Sequence, residues 1–393
     1  MKKYKINICL IYVILWLLYF LQGNLYSSKI LGTAIMSIFI LWSLYFFVYV
    51  NVKYKLPPFL RGVNLLVVLF TIYGSIRIIS SEVIYRADGT LQSSVLFLKN
   101  SYISLLPTYG LFYFYKAKYL TQRWIQNWTI LFVIYALLRF YFLSKGAFLG
   151  SNDYTNNAGY IFVSLFAIVP LLNRKIYQFL LIICIAFFVL VSLKRGAIIC
   201  YVICLVYYII VSISAIRGSL KKIGTIFIFS LLAYVIYYLS VEVLSSNDYL
   251  VTRILSVLDG DSGGRGEIYG VLWNNFKTNQ SISQILFGMG ADGTIKVVGN
   301  FAHNDWLEIL TNHGILGIIC LLFFYVNFVI GIKQVQNPKY RLVLALCFIQ
   351  MFLTSIYSMS INDFQIFQLA AVIICVCSVS QSTDRPYTIQ NHS

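Results

Sequence analysis

Two successive cations, Lys194 and Arg195, stand between apolar runs in Val191-Ser-Leu-Lys-Arg-Gly196, and Arg265 stands among glycines in Asp259-Gly-Asp-Ser-Gly-Gly-Arg-Gly266. A guanidinium keeps its charge and grips phosphate oxygens bidentately, and glycine lets the backbone come close to an anion. The chemistry these residues suit is the holding of a phosphate or diphosphate. His303, in Ala302-His-Asn-Asp-Trp-Leu-Glu-Ile-Leu310, reads as the exposed start of a short helix, on one face with Leu307 and Leu310. Blander readings stand beside these. Arg77, Arg139 and Lys99 lie near the ends of apolar runs, where long basic side chains also reach the interface with no further role. Gly288-Met-Gly290 has the form of a turn as much as of a phosphate cradle, and Asp259-x-Asp261 that of a loop turn more than of a metal site. His313, by a span boundary, and His392, on a polar tail, are assigned no chemistry.

The elements that must position these groups are membrane helices. Of 393 residues, 60% are hydrophobic and 11% charged, against about 25% charged in a soluble domain. That composition excludes a water-soluble globule and a disordered chain. All eight cysteines fall in apolar runs, so neither a disulfide framework nor a thiolate zinc site is indicated. Met1-Lys-Lys-Tyr-Lys5 followed by an apolar run reads as a first helix and anchor, since no small-residue cleavage site follows it. Apolar runs at 6–22, 29–50, 63–80, 95–115, 124–143, 158–172, 176–193, 197–215, 222–242, 314–332, 342–358 and 362–380 predict twelve transmembrane helices. The expected fold is thus all-α and polytopic. Residues 1–242 carry nine helices, 243–313 a large outer loop, and 314–393 three helices and a short tail.

Charge sets the expected sidedness. The net charge of +17 would suggest nucleic acid in a soluble protein, but here its distribution decides. With a cytoplasmic N-terminus, every inner segment holds Lys or Arg, 18 of the 30 cations in all, and 12 of the 13 acids lie at the outer side. Both termini are therefore expected in the cytoplasm. Lys194 and Arg195 then break the positive-inside pattern twice in one short outer turn, and a group of guanidiniums at the outer leaflet suits a lipid-linked diphosphate. The outer loop 243–313 is long where other connections are short, and long ordered loops are usually functional.

The run from His303 to Gly317, His-Asn-Asp-Trp-Leu-Glu-Ile-Leu-Thr-Asn-His-Gly-Ile-Leu-Gly, resembles the signature of the O-antigen polymerase and O-antigen ligase superfamily. Ser192-Leu-Lys-Arg-Gly196 is similar to that family's arginine-bearing outer turn, Gly264-Arg-Gly-Glu-Ile-Tyr-Gly-Val-Leu-Trp273 to its loop arginine segment, and Gly288-Met-Gly290 to its intervening Gly-x-Gly. These motifs span 192–332; the pattern departs where Leu193 and Lys194 separate Ser192 from Arg195. The resemblance implies a membrane-embedded glycosyltransferase of GT-C type, acting on undecaprenyl-diphosphate-linked glycans at the outer face of a bacterial inner membrane. It implies that Arg195 and Arg265 hold the diphosphate and that His303 acts on the acceptor. Lys194, Arg77, Arg139, Asn304, Gly288 and Gly290 are carried as further substrate contacts. The implied partners are the lipid-linked donor, a glycan acceptor, membrane lipid, a chain-length regulator and a flippase, with no nucleic acid. No cofactor and no metal are expected. A polysaccharide polymerase is the favoured expectation and an O-antigen ligase the alternative. A flippase or other transporter is disfavoured because matching broken halves are not evident, and a non-catalytic scaffold would not need His303.

Overall fold

The computed structural model describes residues 7–21, 29–147, 156–216, 218–245, 265–278, 281–361 and 363–378. In hydrocarbon every backbone N–H and C=O must be paired within the chain, and the apolar runs accordingly fold as helices. Helices α1 (Ile8–Phe20), α2 (Lys29–Lys53) and α3 (Pro58–Ser80) come first; Pro58 opens α3, where its missing N–H costs nothing. A two-rung hairpin of β1 (Ile84–Tyr85) and β2 (Leu91–Gln92) follows. The expected span 95–115 is two helices, α4 (Ser94–Leu105) and α5 (Pro107–Lys116), divided at the proline. Then come α6 (Gln122–Ala147) and α7 (Ala158–Ser164), the latter continued by two 3₁₀ turns to Leu171. They are followed by α8 (Lys175–Val191), α9 (Arg195–Ser214) and α10 (Ser219–Ser245).

Between α10 and the last three helices lie α11 (Arg265–Thr278), α12 (Ile282–Phe287) and α13 (Gly293–Val298). The chain ends with α14 (Asp305–Gln334), α15 (Pro338–Tyr357) and α16 (Ile366–Cys377). Helices thus meet all twelve expected stretches. Six are long and apolar enough to cross a membrane by length and composition: α2, α3, α6, α9, α14 and α15. Helices α1, α8 and α16 and the stretch 158–171 are apolar but shorter. The molecule is an all-α membrane protein.

Two packing pairs frame the site. Helix α14 runs along α3, and α15 along α9. The first pair is close because Gly62 presents no side chain: a Cβ there would lie 2.8 Å from the Phe324 Cα. Helix α14 bends at Gly314, whose φ of 62° and ψ of −156° interrupt the helix without ending it. The bend receives the loop before α13: Met289 N–H donates to the Thr311 carbonyl (2.9 Å) and Gly290 N–H to the Asn312 carbonyl (3.0 Å). The hairpin is joined to the far end of α13 by Ala87 N–H on the Gly299 carbonyl (2.8 Å), and Glu82, just before β1, pairs with Lys296 of α13 at 2.6 Å.

Candidate active site

The turn 192–194 is built before any substrate is considered. Leu193 takes a left-handed φ of 53°, Ser192 is buried, and Asn156 N–H bonds the Ser192 carbonyl at 2.8 Å. The Asn156 carboxamide donates to the Phe140 carbonyl (2.9 Å) and accepts from Ala158 N–H (2.8 Å), so α6, α7 and the turn share one polar hub. Lys194 is the N-cap residue of α9 and Arg195 its first helical residue. The pair therefore sits at the positive end of a helix dipole, where anions are favoured. Gly196 permits the close packing of this corner. A Cβ on it would run into the Tyr160 hydroxyl and the Tyr357 side chain.

Arg265 is the first residue of α11, and its Nη1 donates to the Tyr357 carbonyl at 2.9 Å. That carbonyl ends α15, where helix C-termini attract cations. The Tyr160 hydroxyl reaches the same oxygen at 3.5 Å. One of the five N–H donors of a guanidinium is thus engaged in a bond that positions it.

His303 is not the first residue of a helical face with Leu307 and Leu310, as its spacing suggests. It precedes the N-cap, in the left-handed region at φ 52°. A non-glycine residue there needs surroundings that hold it, and they are present. Asn304 caps α14, accepting from Trp306 N–H (3.0 Å) and Leu307 N–H (3.1 Å), while its amide donates to the Ile356 carbonyl (3.1 Å). Trp306 Nε1 donates to Ser355 Oγ at 3.1 Å. Ala302 N–H, on the other side of His303, donates to the Glu308 carboxylate at 2.8 Å. Glu308 also accepts from Asn312 (3.3 Å) and from the Thr294 hydroxyl. Buried Asp305 accepts from Ser360 N–H (2.8 Å), Ser360 Oγ (2.7 Å) and Ile361 N–H (3.2 Å).

The half-buried His303 ring shares its corner with Arg265 and Lys194. Burial first, then the positive charges of Arg265 and Lys194, hold its pKa below the ordinary histidine range. The neutral imidazole, able to accept a proton, is the favoured form at neutral pH. Residues separated widely in sequence are thereby brought together: Lys194 and Arg195 at the start of α9, Arg265 at the start of α11, and His303 and Asn304 before α14. Such an arrangement can hold a di-anion beside a hydroxyl-activating base.

Other candidates lie elsewhere. Arg77 is buried in an ion pair with Asp292 and donates from Nη2 to the Gln92 carbonyl (2.8 Å), which ties α3 to the hairpin and to the start of α13. Arg139 donates to the Phe20 carbonyl at the end of α1 (2.7 Å). Gly288, at φ 76°, packs against the Asn312–His313 backbone with no room for a Cβ. Gly290, at φ 91°, sits in the same docking turn. Asn304 acts through its cap. His313 is buried among the rings of Tyr73, Phe70 and Phe97, at centroid distances of 4.4, 5.4 and 5.7 Å. His392, Asp259 and Asp261 lie outside the described residues. Tyr160, Tyr357, Asp305 and Glu308 were not singled out from sequence. For the two acids a signal existed, since buried carboxylates beside a span are expensive unless they are used.

The fold and this corner define an all-α membrane protein that gathers Lys194, Arg265 and His303 at one end of its helices. Residues 180–322 match the family model described as O-antigen ligase, which bears out the superfamily resemblance over the segment carrying Arg195, Arg265 and His303. The match supports a polysaccharide-related membrane enzyme. No curated protein matches the chain.

Proposed function

We propose that the chain is a metal-independent polysaccharide polymerase that joins lipid-linked repeat units at the outer face of a bacterial inner membrane. The carrying observation is the convergence of Lys194, Arg265 and His303 at one corner, with Arg195 opening the same helix. In this reading the growing glycan on undecaprenyl diphosphate is the donor, and a sugar hydroxyl of the next lipid-linked unit is the acceptor. Arg195 and Arg265 grip the diphosphate, with Lys194 adding charge. The hydroxyl oxygen attacks the anomeric carbon and its proton passes to the His303 imidazole. The bond from the anomeric carbon to the phosphate oxygen breaks, and its electron pair leaves with the lipid diphosphate. Fixed cations stabilise the charge that develops on that leaving group. Direct attack inverts the anomeric centre and needs no covalent intermediate. The same cations neutralise the diphosphate in the way a divalent ion does in other transferases.

A second reading is favoured by the description of the matching family: an O-antigen ligase, in which the same donor chemistry transfers a finished chain to lipid A-core. Deleting the gene and sizing the surface glycan separates the two. Single repeat units on lipid A-core indicate a lost polymerase, and full chains stranded on the carrier lipid a lost ligase. For the site itself, Arg195→Ala and Arg265→Ala should each abolish long-chain glycan at normal protein level in the membrane. Replacement by Lys keeps the charge but loses the fork and should leave partial activity at best. Wild-type chain lengths in both Ala variants would remove the diphosphate grip.

A further inference from the structure

A cavity of about 710 Å³ lies away from His303. It is walled by the start of α8, the end of α9, and the starts of α10 and α15. The candidate active site lies at the opposite ends of α9 and α15. Twenty residues of helix α9 separate the two, roughly 30 Å at the α-helical rise.

We propose that this cavity binds an anionic glycerophospholipid from the leaflet at that end of the bundle. Its walls are mainly apolar, with Phe179, Val211, Phe229 and Leu342 among them, and its polar lining includes Lys175, Gln178, Tyr208 and Lys339. Lys339 Nζ lies 3.3 Å from the Leu171 carbonyl and Lys175 Nζ 3.3 Å from Gln178 Oε1. Gln178 is buried and fixed in turn: its amide donates to the Leu172 carbonyl (2.7 Å) and its oxygen accepts from the Tyr208 hydroxyl (2.8 Å). The two ammonium groups are thus held at the cavity by built contacts.

Charge complementarity names the occupant. The segments 165–178, 205–230 and 330–345 that supply the walls contain Arg174, Lys175, Arg217, Lys221, Lys222, Lys333, Lys339 and Arg341, and no Asp or Glu. An apolar cleft lined by Lys175 and Lys339 and by no acid fits acyl chains along its apolar walls and a net negative phosphate headgroup at the two ammonium groups. A zwitterionic lipid brings a second positive charge to the same place and is disfavoured. The volume falls within the ~300–1,000 Å³ of small-molecule sites. This inference rests on the membrane character of the chain and is independent of the glycosyl transfer proposed above.

The test uses the full chain purified in a neutral detergent and native mass spectrometry with equimolar phosphatidylglycerol and phosphatidylcholine. The wild type should retain phosphatidylglycerol in roughly tenfold preference. The double variant Lys175→Gln/Lys339→Gln should bring the ratio near parity. Val211→Trp, which fills the cavity and leaves the charges in place, should lose the phosphatidylglycerol adduct. Parity in the wild type would overturn the proposal without recourse to any variant. So would a preference that survives both substitutions, or displacement of the lipid by an equal concentration of inorganic phosphate, which would mark a simple ion site.

Discussion

At the scale of single residues, the protonation of His303 sets the pH dependence of the proposed transfer. Burial and the cations Arg265 and Lys194 depress its pKa, so the acid limb of activity should fall below the ordinary histidine value of ~6.5. Lys194→Gln removes one positive neighbour and must raise that pKa. The acid limb of the pH–rate profile should then move to higher pH, with activity above the limb reduced less than in Arg265→Ala. A limb that stays in place would show that Lys194 does not act on the ring. The same linkage acts on stability. As pH falls through ~6.5 the unfolded chain takes up the proton before the folded one, so acid weakens the fold through this residue, and less so in Lys194→Gln.

At the scale of elements, the short strained segment before α14 depends on two buried carboxylates. Glu308→Ala leaves Ala302 N–H, Thr294 and Asn312 without their acceptor. Removing charged hydrogen-bond partners of this kind should destabilise by about 2–3 kcal/mol. The measurement is thermal unfolding in detergent, where a clear fall in Tm is expected together with loss of activity. An unchanged Tm would mean the carboxylate does not hold the corner. What was legible in the sequence follows from the same physics. Hydropathy alone located the helices, because hydrocarbon permits little else. The 3₁₀ turns after Ser164 and the hairpin at 84–92 depend on packing that no local pattern records, whereas the division at Leu106–Pro107 had a local signal in its proline. Lys194, Arg195 and Arg265 stood out as cations on the side expected to be outer, and His303 through the resemblance of its run. Arg77 carried a similar anomaly, yet its partner Asp292 lies far along the chain and gives it a structural contact. The Tyr357 carbonyl, which holds Arg265, leaves no trace in the residue type that carries it.

For the whole molecule, the charge asymmetry predicts a site on the outer face. Reporter fusions at Asn152 and Asn279 should read as exterior, and those at Lys118, Ser219 and Gln336 as cytoplasmic. A cytoplasmic reading at Asn279 would put Arg265 and His303 on the wrong face for an outer-leaflet donor. The most direct test of the central claim is reconstitution of the purified chain in liposomes with an undecaprenyl-diphosphate-linked repeat unit. Product length and released lipid diphosphate would be followed for wild type and for His303→Ala of matched helix content, each with and without EDTA. The account predicts chain growth with stoichiometric diphosphate release by the wild type, unaffected by EDTA, and none by His303→Ala. Chain growth by His303→Ala at the wild-type rate, or growth lost in EDTA and restored by Mg²⁺, would contradict it.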